Sequence, residues 1–203
     1  MKCKLFFAVV SFHLTSFICA SLGFAQSQIT SPTTAEIFKQ FSEQVVKIEV
    51  VESGSGAKAS VGSGFFANER GQIVTNYHVV SKLIHSPDRY RIDVSAPSGQ
   101  IAQAAVLAVD VIYDLAVLSI NRSIKGFLRF ETTPVAQGTR LYSLGHPQDL
   151  GLTIVEGTYN GLLQHSLYPK VHFTGSLNPG MSGGPAVTHA GKVVGINVAT
   201  EGE

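Results

Sequence analysis

Cysteine and charged residues are both scarce in this sequence. Of 203 residues only two are cysteines, Cys3 and Cys19, and 14% are charged, with a formal net charge of +1. A nearly neutral chain without a basic run has no electrostatic basis for binding nucleic acid, and so few cysteines exclude a disulfide scaffold. A hydrophobic fraction of 44% excludes the composition of a disordered protein. Stability must therefore come from a packed core.

The amino terminus predicts a secretory signal peptide over residues 1–25. Two early lysines give a basic start, Leu5–Val10 and Phe17–Leu22 are apolar, and Gly23-Phe24-Ala25 supplies small residues for cleavage. The alternative is an uncleaved membrane anchor, but no apolar run is long enough to span a bilayer comfortably. We therefore expect an exported protein, periplasmic or extracellular, which is not held at the membrane after cleavage and then contains no cysteine.

Beyond the leader, short runs rich in β-branched and aromatic residues alternate with turns. This pattern is typical of an all-β fold. The first set of predicted strands, assigned to a barrel over 45–120, comprises Val45–Val51, Val61–Ala67, Gln72–Thr75, Tyr90–Ala96, Ile101–Val109 and Leu115–Ile120. Six short strands with tight turns suffice for one small barrel. The second set, assigned to 134–203, comprises Arg140–Leu144, Leu152–Leu163, Lys170–Thr174, Gly184–Thr188 and Lys192–Val198. Residues 121–133 lose the alternation and are predicted to link the two sets.

The segment between the leader and the first strand, residues 26–44, predicts one short helix. Thr33 and Glu36 have the spacing of a capping box, and apolar residues follow at helical spacing. We expect a helix over Thr34–Glu43 that packs its apolar stripe on the body of the protein.

A glycine-flanked serine marks the candidate reactive site. Ser182 lies in the stretch Asn178–Pro185 (NPGMSGGP), where glycines permit positive φ and leave the hydroxyl open to approach. Acyl transfer needs such a nucleophile, together with backbone N–H groups that converge on the developing oxyanion. The amides of Gly180 and Ser182 are the candidates for that oxyanion hole. The alternative is a glycine-rich hairpin turn that carries a surface serine, and only partner residues elsewhere decide between the two.

Two further residues supply the chemistry that such a serine needs. His78 follows the β-rich run Ile73–Thr75, and Asp114 opens the apolar strand Leu115–Ile120. Alone, such a histidine is more often structural, and an aspartate before a strand more often caps a turn. Together, the chain order His, Asp, Ser is that of the chymotrypsin arrangement and differs from the subtilisin and α/β-hydrolase orders. The three residues therefore predict a catalytic triad.

These pieces together resemble a known family, the trypsin-like serine peptidases, and within it the bacterial HtrA-like (Deg-type) branch. The matching pieces are Gly62-Ser63-Gly64-Phe65, Thr75–Val80, Asp114–Leu118, Leu144–Pro147, Asn178–Pro185 and Gly195-Ile196-Asn197. The resemblance implies two six-stranded antiparallel β-barrels of the chymotrypsin fold, with His78 and Asp114 from the first and Ser182 from the second in the cleft between them. It also implies a serine endopeptidase that acts on protein or peptide substrates through an acyl-enzyme, without a cofactor, and a homo-oligomer that is trimeric by analogy.

The sequence departs from the family at its carboxyl-terminal end. The resembled fold has a further strand and usually a closing helix after Gly195-Ile196-Asn197, whereas this sequence ends at Glu203. The second barrel is therefore expected to be incomplete, with an open edge. A second function stays open on this ground: a protease-like binding or chaperone module with little or no turnover. All three catalytic residue types are present, so residue identity does not separate the two functions.

By analogy with the family, the substrate pocket is expected to include Ser176, Leu177, Ile196 and Val198. These residues favour small or medium apolar side chains of the substrate. No acid lies in Phe173–Ser176, so cleavage after Lys or Arg is disfavoured. The histidines other than His78 lack metal-ligand spacing, and no metal site is expected.

Overall fold

The computed structural model describes residues 31–99, 101–147 and 150–199, so the predicted signal peptide lies outside the described residues. The helices within these ranges are α1 (Thr34–Phe41) and α2 (Tyr77–His85), with a 3₁₀ turn at Ser42–Gln44. The strands are β1 (Val45–Glu52), β2 (Lys58–Phe66), β3 (Gln72–Thr75), β4 (Tyr90–Ser95), β5 (Ile101–Asp110), β6 (Leu115–Ser119), β7 (Arg129–Phe130), β8 (Arg140–Gly145), β9 (Thr153–Leu162), β10 (Val171–Phe173), β11 (Pro185–Val187) and β12 (Lys192–Ile196). None of the described helices is long and apolar enough to cross a membrane.

The first six strands close into an antiparallel barrel in the order β1-β2-β3-β6-β5-β4. Side chains that alternate inward along each strand build its core, as Val46, Ile48 and Val50 do along β1. Helix α2 packs against this barrel and adds Val79 and Val80 to the same core. The prediction of a closed first barrel is confirmed, and its strands begin and end within a few residues of the predicted bounds.

The later strands form a six-stranded sheet in the order β10-β9-β8-β11-β12-β7, which does not close within the described residues. The expected incomplete second barrel is thus confirmed. Its pairs are antiparallel except that of β7 with β12, which is parallel, with Arg129 opposite Lys192 and Phe130 opposite Val193. Strand β7 lies inside the predicted linker 121–133 and brings that segment into the second sheet. A strand of this length leaves no alternation in the sequence by which it could be found.

One hydrophobic cluster, which we call the shared core, joins α1, the barrel and the second sheet. Its buried members are Ile37, Phe41, Val45, Phe65, Leu128, Tyr142, Leu144, Val187 and Val193. Helix α1 begins at the predicted capping box, since Thr33 Oγ1 accepts from the Glu36 N–H at 3.3 Å and Glu36 Oε2 accepts from the Thr33 N–H at 2.8 Å. The helix ends at Phe41 rather than at the predicted Glu43, and the chain continues as the 3₁₀ turn. Its apolar stripe packs into the shared core, as expected.

Candidate active site

Strand pairing brings Asp114 to the start of helix α2. Strands β3 and β6 are antiparallel neighbours, with Thr75 opposite Ala116. Just beyond this pair, the carbonyl of Asp114 accepts hydrogen bonds from Asn76 Nδ2 at 2.9 Å and from the Tyr77 N–H at 3.1 Å. Asp114 adopts a left-handed backbone conformation with φ of 53°, which is uncommon for a residue other than glycine. The two hydrogen bonds to its carbonyl help hold this conformation and fix the direction of its side chain.

The carboxylate of Asp114 contacts His78 at two points. Oδ2 lies 2.7 Å from the imidazole Nδ1, and Oδ1 accepts from the backbone N–H of His78 at 2.9 Å. The side chain of Asp114 is 18% exposed and that of His78 is 45% exposed. A carboxylate oxygen only accepts, so the proton of a neutral imidazole is assigned to Nδ1, and Nε2 keeps its lone pair. The pair can therefore present a base to a nearby hydroxyl.

Ser182 lies in a loop that requires glycine at the two positions that follow. Gly183 has φ of 86°, and a Cβ at this position would overlap the carbonyl oxygen of Ser63 and the hydroxyl of Thr75. A Cβ at Gly184 would overlap a backbone carbonyl of β8. The glycines of the motif thus allow the loop to pack directly on the backbone of both sheets.

This loop also lies against the segment that carries His78. The carbonyl of Ser182 accepts from the N–H of Ser63 in β2 at 2.7 Å. A Cβ at Gly62 would lie 3.2 Å from the same carbonyl oxygen and 2.6 Å from a methyl group of Val79, the residue after His78. The structure therefore brings the backbone of Ser182 close to the first turn of α2.

The hydroxyl of Ser182 pairs with the backbone of Ala199 and not with His78. Its Oγ accepts from the Ala199 N–H at 3.1 Å and donates to the Ala199 carbonyl at 3.2 Å. Within the described residues, no hydrogen bond joins this hydroxyl to the imidazole of His78. Ser182 is 4% exposed. The hydroxyl must leave the Ala199 carbonyl before it can donate its proton to a base.

The two predicted oxyanion donors, the amides of Gly180 and Ser182, lie on either side of Met181. Neither amide donates a hydrogen bond to another described residue. The peptides between them are fixed, because the Met181 N–H donates to the Asn178 carbonyl at 3.0 Å and the Met181 carbonyl accepts from the Gly184 N–H at 3.0 Å. Since a trans peptide holds its C=O and N–H in opposite directions, the second bond sets the direction of the Ser182 N–H.

The four predicted pocket residues do not line either of the two described cavities. Ser176 is exposed, Leu177 and Ile196 are half-buried, and Val198 is 37% exposed. Ile196 packs against the shared core. The larger cavity, of about 400 Å³, lies between the first barrel and the segment that follows β6, and none of the triad residues lines it. The pocket remains a prediction.

Two polar residues whose role was not predicted from the sequence hold the serine loop. The backbone carbonyl of Asn197, a residue that is 3% exposed, accepts from the Gly183 N–H at 2.9 Å, and its side-chain Nδ2 donates to the Leu144 carbonyl at 3.1 Å. The other is the fully buried Ser63, the N–H of which contacts Ser182. The signal that could have found both is a polar residue inside an otherwise apolar or glycine-rich motif.

No group of three or more His, Cys, Asp or Glu side chains within residues 31–99, 101–147 and 150–199 is arranged to hold a metal ion.

Sequence comparisons match this chain to known peptidases. Residues 62–196 match the family described as "Trypsin-like peptidase domain". The "Probable periplasmic serine endoprotease DegP-like" of Chlamydia trachomatis is 32% identical over 144 residues, which are 68% of this chain and 28% of that protein. The "Serine protease HTRA2, mitochondrial" of Bos taurus is 33% identical over 80% of this chain and 37% of its own length. The "Serine endoprotease DegS" of Escherichia coli is 32% identical over 68% of this chain and 39% of its own length.

Solved structures of similar proteins share this fold. The crystal structure of Deg5 superposes with a TM-score of 0.70 at 28% identity, covering 82% of this chain and 84% of the other. The serine endoprotease of Yersinia pestis superposes with a TM-score of 0.70 at 27% identity, covering 82% of this chain and 58% of the other. The chain spans between 28% and 39% of the length of the three relatives compared by sequence.

Proposed function

Because the chain belongs to the trypsin-like peptidase domain family, we propose that it is an HtrA-like serine endopeptidase, which hydrolyses peptide bonds of protein or peptide substrates through an acyl-enzyme. The observation that carries the proposal is the two-point contact between Asp114 and His78. It fixes the orientation and the tautomer of the imidazole, which general-base catalysis requires.

Each predicted residue has a defined role in the reaction. Ser182 Oγ attacks the scissile carbonyl while His78 Nε2 takes its proton, which His78 then gives to the leaving amine. Asp114 keeps the proton of the neutral imidazole on Nδ1 and stabilises the imidazolium that forms. The amides of Gly180 and Ser182 donate to the oxyanion, and both have no other described acceptor.

The first step of this reaction is a change of partner for the Ser182 hydroxyl. A neutral hydrogen bond contributes about 0.5–1.5 kcal/mol net to stability. The Ser182 hydroxyl makes two hydrogen bonds to Ala199, and both are long, at 3.1 and 3.2 Å. Substrate binding can offset a cost of that size. We therefore propose that the pairing of Ser182 with Ala199 is a resting arrangement. It ends when the Ser182 hydroxyl rotates or when Ala199 shifts away.

A fluorophosphonate probe tests the nucleophile directly. The wild-type chain is expected to be labelled, and Ser182→Ala is expected to abolish the label. Ser98→Ala, which changes an exposed serine in a turn of the first barrel, is the matched control and should be labelled like the wild type. Persistent labelling of the Ser182→Ala chain would assign the nucleophile to another residue.

A protease-like binding or chaperone module is the second candidate function. The observation that favours it is the absence, among the described residues, of a hydrogen bond between Ser182 and His78. An activated ester separates the two functions, because an acyl-enzyme releases a burst of the leaving group. A clean absence of both burst and turnover in a folded sample would favour the binding module.

We further propose that the protein acts outside the cytoplasm and as a homo-oligomer, with a trimer as the family analogy. The name of the Chlamydia relative includes a periplasmic location, which supports export. Amino-terminal sequencing of the protein from a periplasmic fraction should begin just after Ala25, whereas an intact leader on cytoplasmic protein would contradict export.

Light scattering of the purified protein measures the oligomeric state, and a monomer at all concentrations would exclude the trimer.

The substrate preference is proposed from the predicted pocket. Ser176, Leu177, Ile196 and Val198 carry no charge, and small or medium apolar side chains fit such a wall. A peptide library should show cleavage after apolar residues. Strict cleavage after Arg or Lys would overturn the pocket assignment without affecting the triad.

A further inference from the structure

Ser63 is a fully buried polar residue in the middle of the first barrel's second strand. It is flanked by glycines that the packing requires, since a Cβ at Gly62 would lie 2.6 Å from Val79 and a Cβ at Gly64 would lie 2.7 Å from Ile48. The tight packing on both sides leaves Ser63 little freedom to move. A buried hydroxyl at such a position must find hydrogen-bond partners, because leaving it unsatisfied costs stability.

The backbone of Ser63 joins the barrel to the serine loop. Its N–H donates to the Ser182 carbonyl at 2.7 Å, and its carbonyl accepts from Thr75 Oγ1 at 2.7 Å. Thr75 is the last residue of β3, just before the segment that carries His78. Ser63 thus lies between the strand that leads to the predicted base and the loop that carries the predicted nucleophile.

The hydroxyl of Ser63 has only one way to arrange its proton. Its Oγ accepts from the backbone N–H of His146 at 2.8 Å, so the hydroxyl proton is not needed there. The second partner is the carbonyl of Gly180 at 2.7 Å, which can only accept. The proton of Ser63 is therefore directed at Gly180, and the hydroxyl both donates and accepts one hydrogen bond.

This bond fixes the peptide that separates the two oxyanion donors. Gly180 has φ of 92° and no side chain, so nothing in the residue itself restricts rotation of its carbonyl. Ser63 holds that carbonyl, and the Asn178 carbonyl holds the N–H at the other end of the same peptide at 3.0 Å. We propose that Ser63 is a positioning residue, which holds the Gly180–Met181 peptide so that the amides of Gly180 and Ser182 converge on one oxyanion. The proposal rests on the peptidase function proposed above.

Steady-state kinetics of Ser63→Ala in the full chain test the proposal. A donor of an oxyanion hole is worth about 10²–10³ in kcat, and we expect misalignment of both donors to lower kcat at least about 10-fold. KM should change less than about threefold, because ground-state binding does not use the oxyanion. Affinity for a peptidyl boronic acid, whose adduct carries a tetrahedral oxyanion, should fall in parallel with kcat. A kcat within about twofold of the wild type would overturn the proposal.

Thr188→Ala is the matched control for loss of a buried, loop-holding hydroxyl. Thr188 is 8% exposed, and its Oγ1 accepts from the N–H groups of Ala190 and Lys192 in the hairpin between β11 and β12. This variant should keep kcat near that of the wild type even if its melting temperature falls. Equal loss of kcat in both variants would assign the effect of Ser63 to general stability and overturn the proposal. If Ser63→Ala does not fold, Ser63→Cys, which keeps the shape with a weaker donor, is judged by the same criteria.

Amide hydrogen exchange separates failure of this proposal from failure of the peptidase function. Ser63→Ala should speed exchange at Met181 and Gly184, whose N–H groups hold the serine loop, by a larger factor than any rise across β1–β6. If the wild type showed no Ser182-dependent labelling, the proposed peptidase function would be wrong. The exchange data would still show whether Ser63 holds the serine loop. Unchanged exchange at both amides would overturn the proposal for an active or an inactive protein.

Discussion

Asp114 is the residue on which the geometry of the proposed site depends most. Its carboxylate contacts both the imidazole and the backbone N–H of His78, and its carbonyl bonds to Asn76 and Tyr77. The left-handed conformation of Asp114, with φ of 53°, costs free energy that these four contacts offset. Such strain at a proposed catalytic residue fits a role in which the direction of the carboxylate matters more than the stability of the local backbone.

Asp114→Asn is expected to lower kcat by about 10³–10⁴, because an amide can donate to Nδ1 and so favour the wrong imidazole tautomer. The fold should be retained, since the amide is nearly isosteric with the carboxylate. Burst kinetics with an activated ester measure the loss. Asp110→Asn is the control: Asp110 Oδ1 accepts from the N–H groups of Ile112 and Tyr113, and an amide oxygen can do the same. Equal activity of Asp114→Asn and wild type would remove Asp114 from the mechanism.

Individual residue types could be read from the sequence, but their partners could not. Chemistry constrains the residue types of His78, Asp114 and Ser182 and the glycines around the serine, and the chain order of the three residues is that of the chymotrypsin arrangement. The pairing of Ser182 with Ala199 depends on the path of a loop between distant elements, and no local pattern encodes it. Ser63 was part of a quoted motif, yet its role depends on which carbonyl its proton meets.

At the scale of elements, the strands were predictable where one face is buried. A run of β-branched residues located β1, and the glycine-containing turn before it located β3, each to within one residue at either end. No bounds were assigned to helix α2 from the sequence, because its paired valines favour strand as much as helix. Strand β7 was missed, since its parallel pairing with β12 is decided by the second sheet and not by its own residues.

The start of helix α1 should depend on pH. Two hydrogen bonds hold the pKa of Glu36 below its usual value of 4.5. The larger effect comes from the Thr33 backbone N–H and the smaller one from the Thr33 hydroxyl. Because the pKa is lowered in the folded state, the capping interaction stabilises the helix above about pH 4.5 and is lost as the pH falls through the lower folded pKa. Wild type should therefore be more stable than Glu36→Gln at pH 7, and the difference should disappear at acid pH. Urea unfolding at both pH values checks this, and a difference independent of pH would contradict it.

At the scale of the whole molecule, the shared core makes the barrel and the second sheet depend on each other. Phe65 and Phe66 are neighbours on β2, but their side chains leave the strand in opposite directions. Phe66 packs inside the barrel, whereas Phe65 packs into the shared core with residues of α1 and the second sheet. Its ring also meets that of Phe130 in β7, edge to face, at 6.0 Å between centroids. The second sheet, which does not close within the described residues, thus packs its apolar side chains on the outer surface of the barrel.

Phe65→Ala should destabilise both sheets in a single transition. Truncating a fully buried phenylalanine costs about 3–5 kcal/mol, and here the cavity opens between the sheets rather than inside one. Hydrogen exchange read by mass spectrometry should then rise by the same factor in peptides of β1–β6 and of β8–β12. Phe66→Ala, the matched control inside the barrel, should produce the same global rise if the two sheets unfold together. If Phe66→Ala raised exchange in the barrel while the second sheet kept its protection, the two sheets would be separate folding units. The contact of Ser63 with the serine loop would then couple only these neighbouring residues and not the two sheets.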